Sequence, residues 1–238
     1  MNATIAMITF RAMLGRRRAV LLFALPLLLA VLAALMRVLD ASDLDTAAAV
    51  LHGFGFAVLL PLLALIAGTG VIGPEIDDGQ IMYVLTKPIP RHTVVLTKLA
   101  VAIALVTVFA VVPILLTGLL MAGGTAQLAP AFAAGALAGG ITYTAVFVAL
   151  AVISRNAAVI GLLYVLVWES LLGNFAPGAR SASIQQWALS VTDALTPTSY
   201  VHASVDLPVA APLLVAVAAA GAVLAVVRLR SLSVVAAE

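Results

Sequence analysis

Few side chains here could carry chemistry, and their spacing excludes most reactions. His52, His92 and His202 are scattered. No two of them stand three or four positions apart, the spacing that puts a pair of metal ligands on one helical face. There is no cysteine, so thiol chemistry, disulfides and Cys-based metal sites are excluded. No G-x-S-x-G elbow presents a nucleophilic serine. No G-x-x-x-x-G-K-[ST] loop is present, so the chain does not bind ATP through a P-loop. Gly68, Gly70 and Gly73 match G-x-G-x-x-G by letter, but no strand precedes them and no dinucleotide-binding unit surrounds them. Small residues that let helices approach closely are the better reading, and Gly135 and Gly139 form a second such pair. No catalytic residue and no metal ligand is assigned.

Two groups of residues remain. The first is Glu169, in VLVWESLLGN, the ionisable residue that falls well within an apolar stretch. An acid inside a membrane is a functional candidate by default. It could gate or contact a substrate, as could Trp187 nearby in sequence, or it could cap an adjacent segment. The second is the polar stretch Gly73 to Lys98, GPEIDDGQIMYVLTKPIPRHTVVLTK. It sets Glu75, Asp77 and Asp78 ahead of Lys87, Arg91 and Lys98, with the apolar run Ile81, Tyr83 and Leu85 between them. Joining two helices takes only a handful of residues. A longer loop carrying acids, an apolar face and bases suggests a docking surface for a soluble partner.

The elements around these groups follow from composition. Of 238 residues, 64% are hydrophobic and 9% charged, against roughly 25% charged in globular domains. The solvent must be lipid. A net charge of +2 gives no argument for nucleic acid. The pattern predicts an all-α polytopic membrane protein, one transmembrane domain over 1–238. Six spans are expected: 19–36, 47–72, 94–121, 128–153, 157–172 and 207–227. Pro26, Pro61 and Pro113 lie inside spans, where neighbouring helices can satisfy the freed carbonyls.

Six spans place both termini on one side, and bases decide which. With the termini inside, the inner segments hold Arg11, Arg16, Arg17, Arg18, Lys87, Arg91, Lys98, Arg155, Arg228 and Arg230, and the outer ones only Arg37 and Arg180. That bias puts the termini and the 73–92 loop in the cytosol, and the 173–206 segment outside. Residues 1–18 read as an amphipathic helix lying in the membrane interface, with Ala3, Ala6, Met7, Phe10, Met13 and Leu14 on one stripe. In the outer segment, Ile184, Trp187, Ala188, Val191 and Leu195 share a helical face. This predicts a re-entrant or surface helix, either a substrate gate or a structural plug.

The order Glu75-x-x-x-Gly79-Gln80, Leu85-x-x-Pro88-Ile89-Pro90-Arg91 and Lys98 resembles the first cytoplasmic loop of ABC-2 type ABC transporter permeases. Gln80 and Pro90 stand where that pattern has Thr and Ser. VLVWESLLGNFAPG and SIQQWAL also look like the fifth span and outer segment of short members. The resemblance implies the transmembrane subunit of an ABC exporter in a bacterial inner membrane, for drugs, antibiotics or lipid-like compounds. It implies a second copy of the chain, surrounding lipid, and separate ATPase subunits that would hold the ATP and magnesium. The loop becomes a coupling helix, with Glu75, Asp78, Gly79, Ile81, Tyr83, Leu85 and Arg91 as its ATPase-docking residues. Gly73 and Pro74 suit a helix start, and Pro88 a helix stop. A membrane-embedded enzyme and an ATP-independent carrier are the alternatives.

Overall fold

A chain this apolar must satisfy its backbone internally, and helices do so within one segment. The computed structural model describes residues 3–15, 18–40, 43–73, 90–122, 127–172, 180–196 and 200–231, and no strand occurs among them. Helix α1 is Ala3–Leu14 and α2 is Arg18–Val38. Then come α3, Leu44–Gly70, α4, Arg91–Ala122, and α5, Leu128–Ile153. Helix α6 begins as Ala157–Leu163 and continues in a wider π-helical stretch, Tyr164–Leu172. The last two are α7, Ile184–Leu195, and α8, Leu207–Ser231.

Five of these, α2, α3, α4, α5 and α8, are long and apolar enough to cross a membrane. The fifth expected span, α6, is shorter. Its seven α-helical and nine π-helical residues fall below the about 20 that a bilayer core needs. The expected bounds of α5 match the structure, whereas α4 and α8 run a few residues longer than hydropathy predicts. The crossings alternate in direction. The end of α3, the start of α4, the 154–156 turn and the end of α8 therefore lie at one end, called here the basic end. Helix α7 and the chain on either side of it lie at the other.

Helix α5 is the axis of the bundle. It is apolar all round, and 67% of its most apolar window is buried, against 22% for α2 and for α8. Glycines set its closest approaches. A Cβ on Gly68 of α3 would stand 2.8 Å from the Phe147 Cβ of α5. One on Gly135 would stand 2.2 Å from Thr192 Oγ1 of α7, and one on Gly139 2.8 Å from the Ala188 Cβ. Gly68 of the first glycine pattern and both glycines of the second are thus helix contacts, whereas nothing stands within 4 Å of a Cβ on Gly73.

Helices α3 and α4 each contain a π-helical stretch, Leu51–Leu59 and Thr107–Val111. Proline explains where they fall. Pro61 and Pro113 donate no N–H, and their rings exclude the carbonyls four residues back, those of Ala57 and Phe109. The ladder ahead of each proline widens instead. Leu60 N–H reaches the Gly55 carbonyl, and Val112 N–H that of Thr107.

Helix α1 packs on α4 and α2, burying Thr9 and Met13. Met7 and Phe10 of the expected stripe face outward with Ile8. The stripe is divided because α4 takes the Met13 side, which leaves the other apolar residues to the surroundings.

Candidate functional site

Glu169 is 4% exposed and accepts three hydrogen bonds. The Tyr164 hydroxyl donates to Oε1 at 3.0 Å. The widened turn of the α6 π-stretch places residues five apart on one face, which makes this contact possible. The Ser183 hydroxyl donates to Oε2, and the Ile184 N–H to Oε1 at 3.2 Å. Ser183 is the N-cap of α7, in extended conformation, and its Oγ also accepts from Gln186 N–H. The carboxylate therefore sits at the positive end of the α7 dipole and satisfies an N–H that α7 cannot bond itself. These contacts place Glu169 at the cap of α7.

Trp187 is 6% exposed. Its indole N–H donates to the Ser181 carbonyl at 2.8 Å, and that of Trp168 to the Ala182 carbonyl at 3.3 Å. Two indoles thus hold the turn that delivers Ser183. On the expected face of α7, Ile184, Trp187 and Ala188 are buried and Val191 half-buried. Leu195 is exposed, while Gln185, Ser190 and Thr192 are buried. Helix α7 packs on α5 and α8 together, so the buried arc is wider than one stripe and lies off its expected centre. The segment after it is tied back by the Ser190 hydroxyl on the Val205 carbonyl, 2.6 Å, and by Ala203 N–H on Asp193 Oδ2, 3.2 Å.

A polar chamber of about 400 Å³ opens beside this network, lined by His52, Glu169, Arg180, Ser183, Gln186 and His202 among others. A smaller cavity of about 170 Å³ adjoins it, sharing both histidines and adding Asp45 and Tyr200. No group of three or more His, Asp or Glu among the described residues could hold a metal ion. The hydroxyls of α5 split into two kinds. Thr142 and Thr144 bond the carbonyls of Ala138 and Gly140 in their own helix, ordinary satisfaction of a buried group. The Tyr143 hydroxyl is fully buried and faces the Glu169 carboxyl of the neighbouring helix.

Tyr143 begins an aromatic series. Its ring stacks on Phe147 with centroids 6.0 Å apart, and Phe147 meets Tyr164 edge-on at 6.4 Å. Below Tyr164, toward the basic end, runs an apolar groove of about 410 Å³ between α5, α6 and α8. Gly221 brings α8 against α5 there, since a Cβ would stand 2.9 Å from the Ala145 backbone.

At the basic end, Lys98 of α4 is 1% exposed, and its Nζ donates to the Val71 carbonyl at 2.6 Å. Val71 ends α3 and Lys98 lies in the second turn of α4, so the bond closes the base of the loop. Among the loop residues singled out above, Arg91 opens α4 and is half-buried. Glu75, Asp78, Gly79, Ile81, Tyr83 and Leu85 lie outside the described residues.

The role of Ser183 and the buried state of Lys98 are additions to the sequence reading. A signal existed for one of them, a lysine four residues into an apolar stretch, which must find a carbonyl or an acid. Against proteins of known families, the model described as ABC-2 family transporter protein matches residues 14–173. Glu169 and Lys98 fall within that stretch, and Ser183 and Trp187 beyond it. No curated protein gives a match.

Proposed function

The chain belongs to the ABC-2 family of transporter proteins, and we propose that it is the membrane permease of an ATP-driven exporter in a bacterial inner membrane. As a multi-pass membrane component of an ABC transporter it is a transport subunit. In this reading both termini are cytoplasmic, as the basic bias of the connecting segments argues. Two copies pair, and a separate ATPase supplies ATP and magnesium. The ATPase docks on the 73–92 loop through Glu75, Asp78, Gly79, Ile81, Tyr83, Leu85 and Arg91.

One observation carries this reading, the bond from Lys98 to the Val71 carbonyl. It joins the stems of the loop, so a push delivered to the loop reaches α3 and α4 as one body. Helix α3 packs on α5, and α5 on α7 and α8. A displacement at the basic end therefore has a packed path to the polar chamber. Alternating access is rigid-body rocking along such a path.

The test is copurification and transport with the ATPase partner. Gly79→Leu and Glu75→Ala should each weaken ATPase binding by roughly thirtyfold, as loss of about 2 kcal/mol at an interface does. Mass measurement of the gently solubilised complex should count two permease copies. Wild-type ATPase binding and transport in both variants would remove the loop as the coupling surface.

A further inference from the structure

Two cavities of opposite character meet at one hydrogen bond. Tyr164 lines the apolar groove and Glu169 lines the polar chamber, and the Tyr164 hydroxyl donates to Glu169 at 3.0 Å. The groove is walled by Val146, Leu150, Ile160, Val217 and Leu224, with almost no polar surface. Each cavity, at about 400 Å³, is of a size that holds a drug-sized ligand. At their junction stand the Glu169 carboxylate and three aromatic rings, those of Tyr143, Phe147 and Tyr164.

We propose that groove, junction and chamber form one binding path for a cationic amphiphile, a molecule with an apolar chain and an ammonium head. The chain fills the groove. The head displaces the Tyr164 hydroxyl and takes its place at Glu169, where an ion pair in low-dielectric surroundings replaces a hydrogen bond from a neutral donor. The faces of Tyr143, Phe147 and Tyr164 add the cation–π attraction that quaternary ammonium groups find in aromatic surroundings. Tyr164 thereby acts as a latch. While it holds Glu169 the groove and the chamber are separate, and once the head has displaced it they are continuous. The sign of the head follows from the order of charges along the path. Glu169 is the charged group bonded to a groove residue, whereas Arg180 lines only the chamber. An anionic head would pass the carboxylate to reach Arg180.

This inference rests on the permease reading for the direction of movement and not for binding, so it can be tested on the chain alone. The only tryptophans, Trp168 and Trp187, flank the site and report on it without labelling. The chain in lipid nanodiscs is titrated with three bromine-bearing quenchers of equal chain length, an alkyltrimethylammonium, an alkyl sulfate and an alkyl maltoside. Saturable quenching by the ammonium is expected, at concentrations at least tenfold below any saturation by the others. Glu169→Gln should weaken it tenfold or more, and Ala220→Phe, which fills the groove, by a similar factor. Tyr164→Phe removes the latch and should tighten binding several-fold, which a purely structural role for the pair would not do. Equal or tighter binding of the sulfate overturns the proposal. So does unsaturable quenching, an unchanged Glu169→Gln, or a Tyr164→Phe that weakens binding as Glu169→Gln does. Because no ATPase is present, such a failure leaves loop docking standing, and failure of loop docking leaves this site standing.

Discussion

The Lys98 ammonium stands 2.6 Å from the Val71 carbonyl, a bond across 27 positions that joins the last turn of α3 to the second turn of α4. A cation at the C-terminal end of a helix is favoured by the dipole and by the unpaired carbonyls there. Burial raises the stake, because neither partner has water to fall back on.

Lys98→Met keeps the length and apolar stem of the side chain but removes the donor. A hydrogen bond to a charged group contributes about 1.5–3 kcal/mol, and thermal unfolding in detergent should show a loss of that order. If the bond transmits force, transport per ATP hydrolysed should fall further than the stability does. Proportional losses would make Lys98 a structural clamp alone.

Gly135→Ala and Gly53→Ala add the same methyl group to two helices with opposite expected results. At Gly135 the Cβ would lie 2.2 Å from Thr192 Oγ1 and 2.6 Å from the Ala188 carbonyl, so α7 must move. Overpacking of this kind costs about 1–3 kcal/mol, and Trp187 emission should shift to the red as α7 lifts. At Gly53 nothing lies within 4 Å of the added atom. That variant should be neutral, or stabilised by up to about 1 kcal/mol through helix propensity.

Topology can be read with single cysteines, because the native chain has none. Ser204 and Asn156 are both exposed and lie at opposite ends of the bundle. Ser204→Cys should react with an impermeant maleimide on intact cells, and Asn156→Cys only after permeabilisation. The reverse pattern would invert the orientation. Ser183 is the poorer probe despite its place in the same segment, being 2% exposed and bonded to Glu169.

Glu169 also holds α7, so Glu169→Gln should loosen it. The amide keeps a carbonyl oxygen for the Tyr164 hydroxyl and the Ile184 N–H but turns an N–H₂ toward the Ser183 hydroxyl. Proteolysis or hydrogen exchange at 184–195 should quicken in Glu169→Gln and remain as in the native protein in Tyr164→Phe, which leaves the α7 contacts intact.

Hydropathy and charge show where the helices of this chain lie, because burying a helix backbone in lipid leaves few alternatives. They place α5 to the residue and the amphipathic α7 to within one. They do not show which way α1 turns, since apolar residues surround much of it and only the packing of Met13 against the bundle decides. Nor do they show the Glu169 network. Ser183 is 14 positions away, and Tyr164 reaches the acid only because the helix is locally wider than α. Periodicity read at 3.6 residues per turn separates those two side chains.

The prolines of α3 and α4 have a mechanical consequence. Each of these helices carries a wide, loosely wound stretch partway along its length, and each has one end at the Lys98 bond. A wide turn holds an extra residue, and rewinding it to α geometry rotates everything beyond it by about 100°. The two stretches are thus places where a thrust along the helix can become a twist of its far half. In α3 the stretch itself carries His52 into the chamber wall, and the turn beyond it carries Asp45 into the wall of the smaller cavity. Amide exchange over 51–59 and 107–111 that changes with ATPase state, ahead of the flanking turns, is the signature of such a screw.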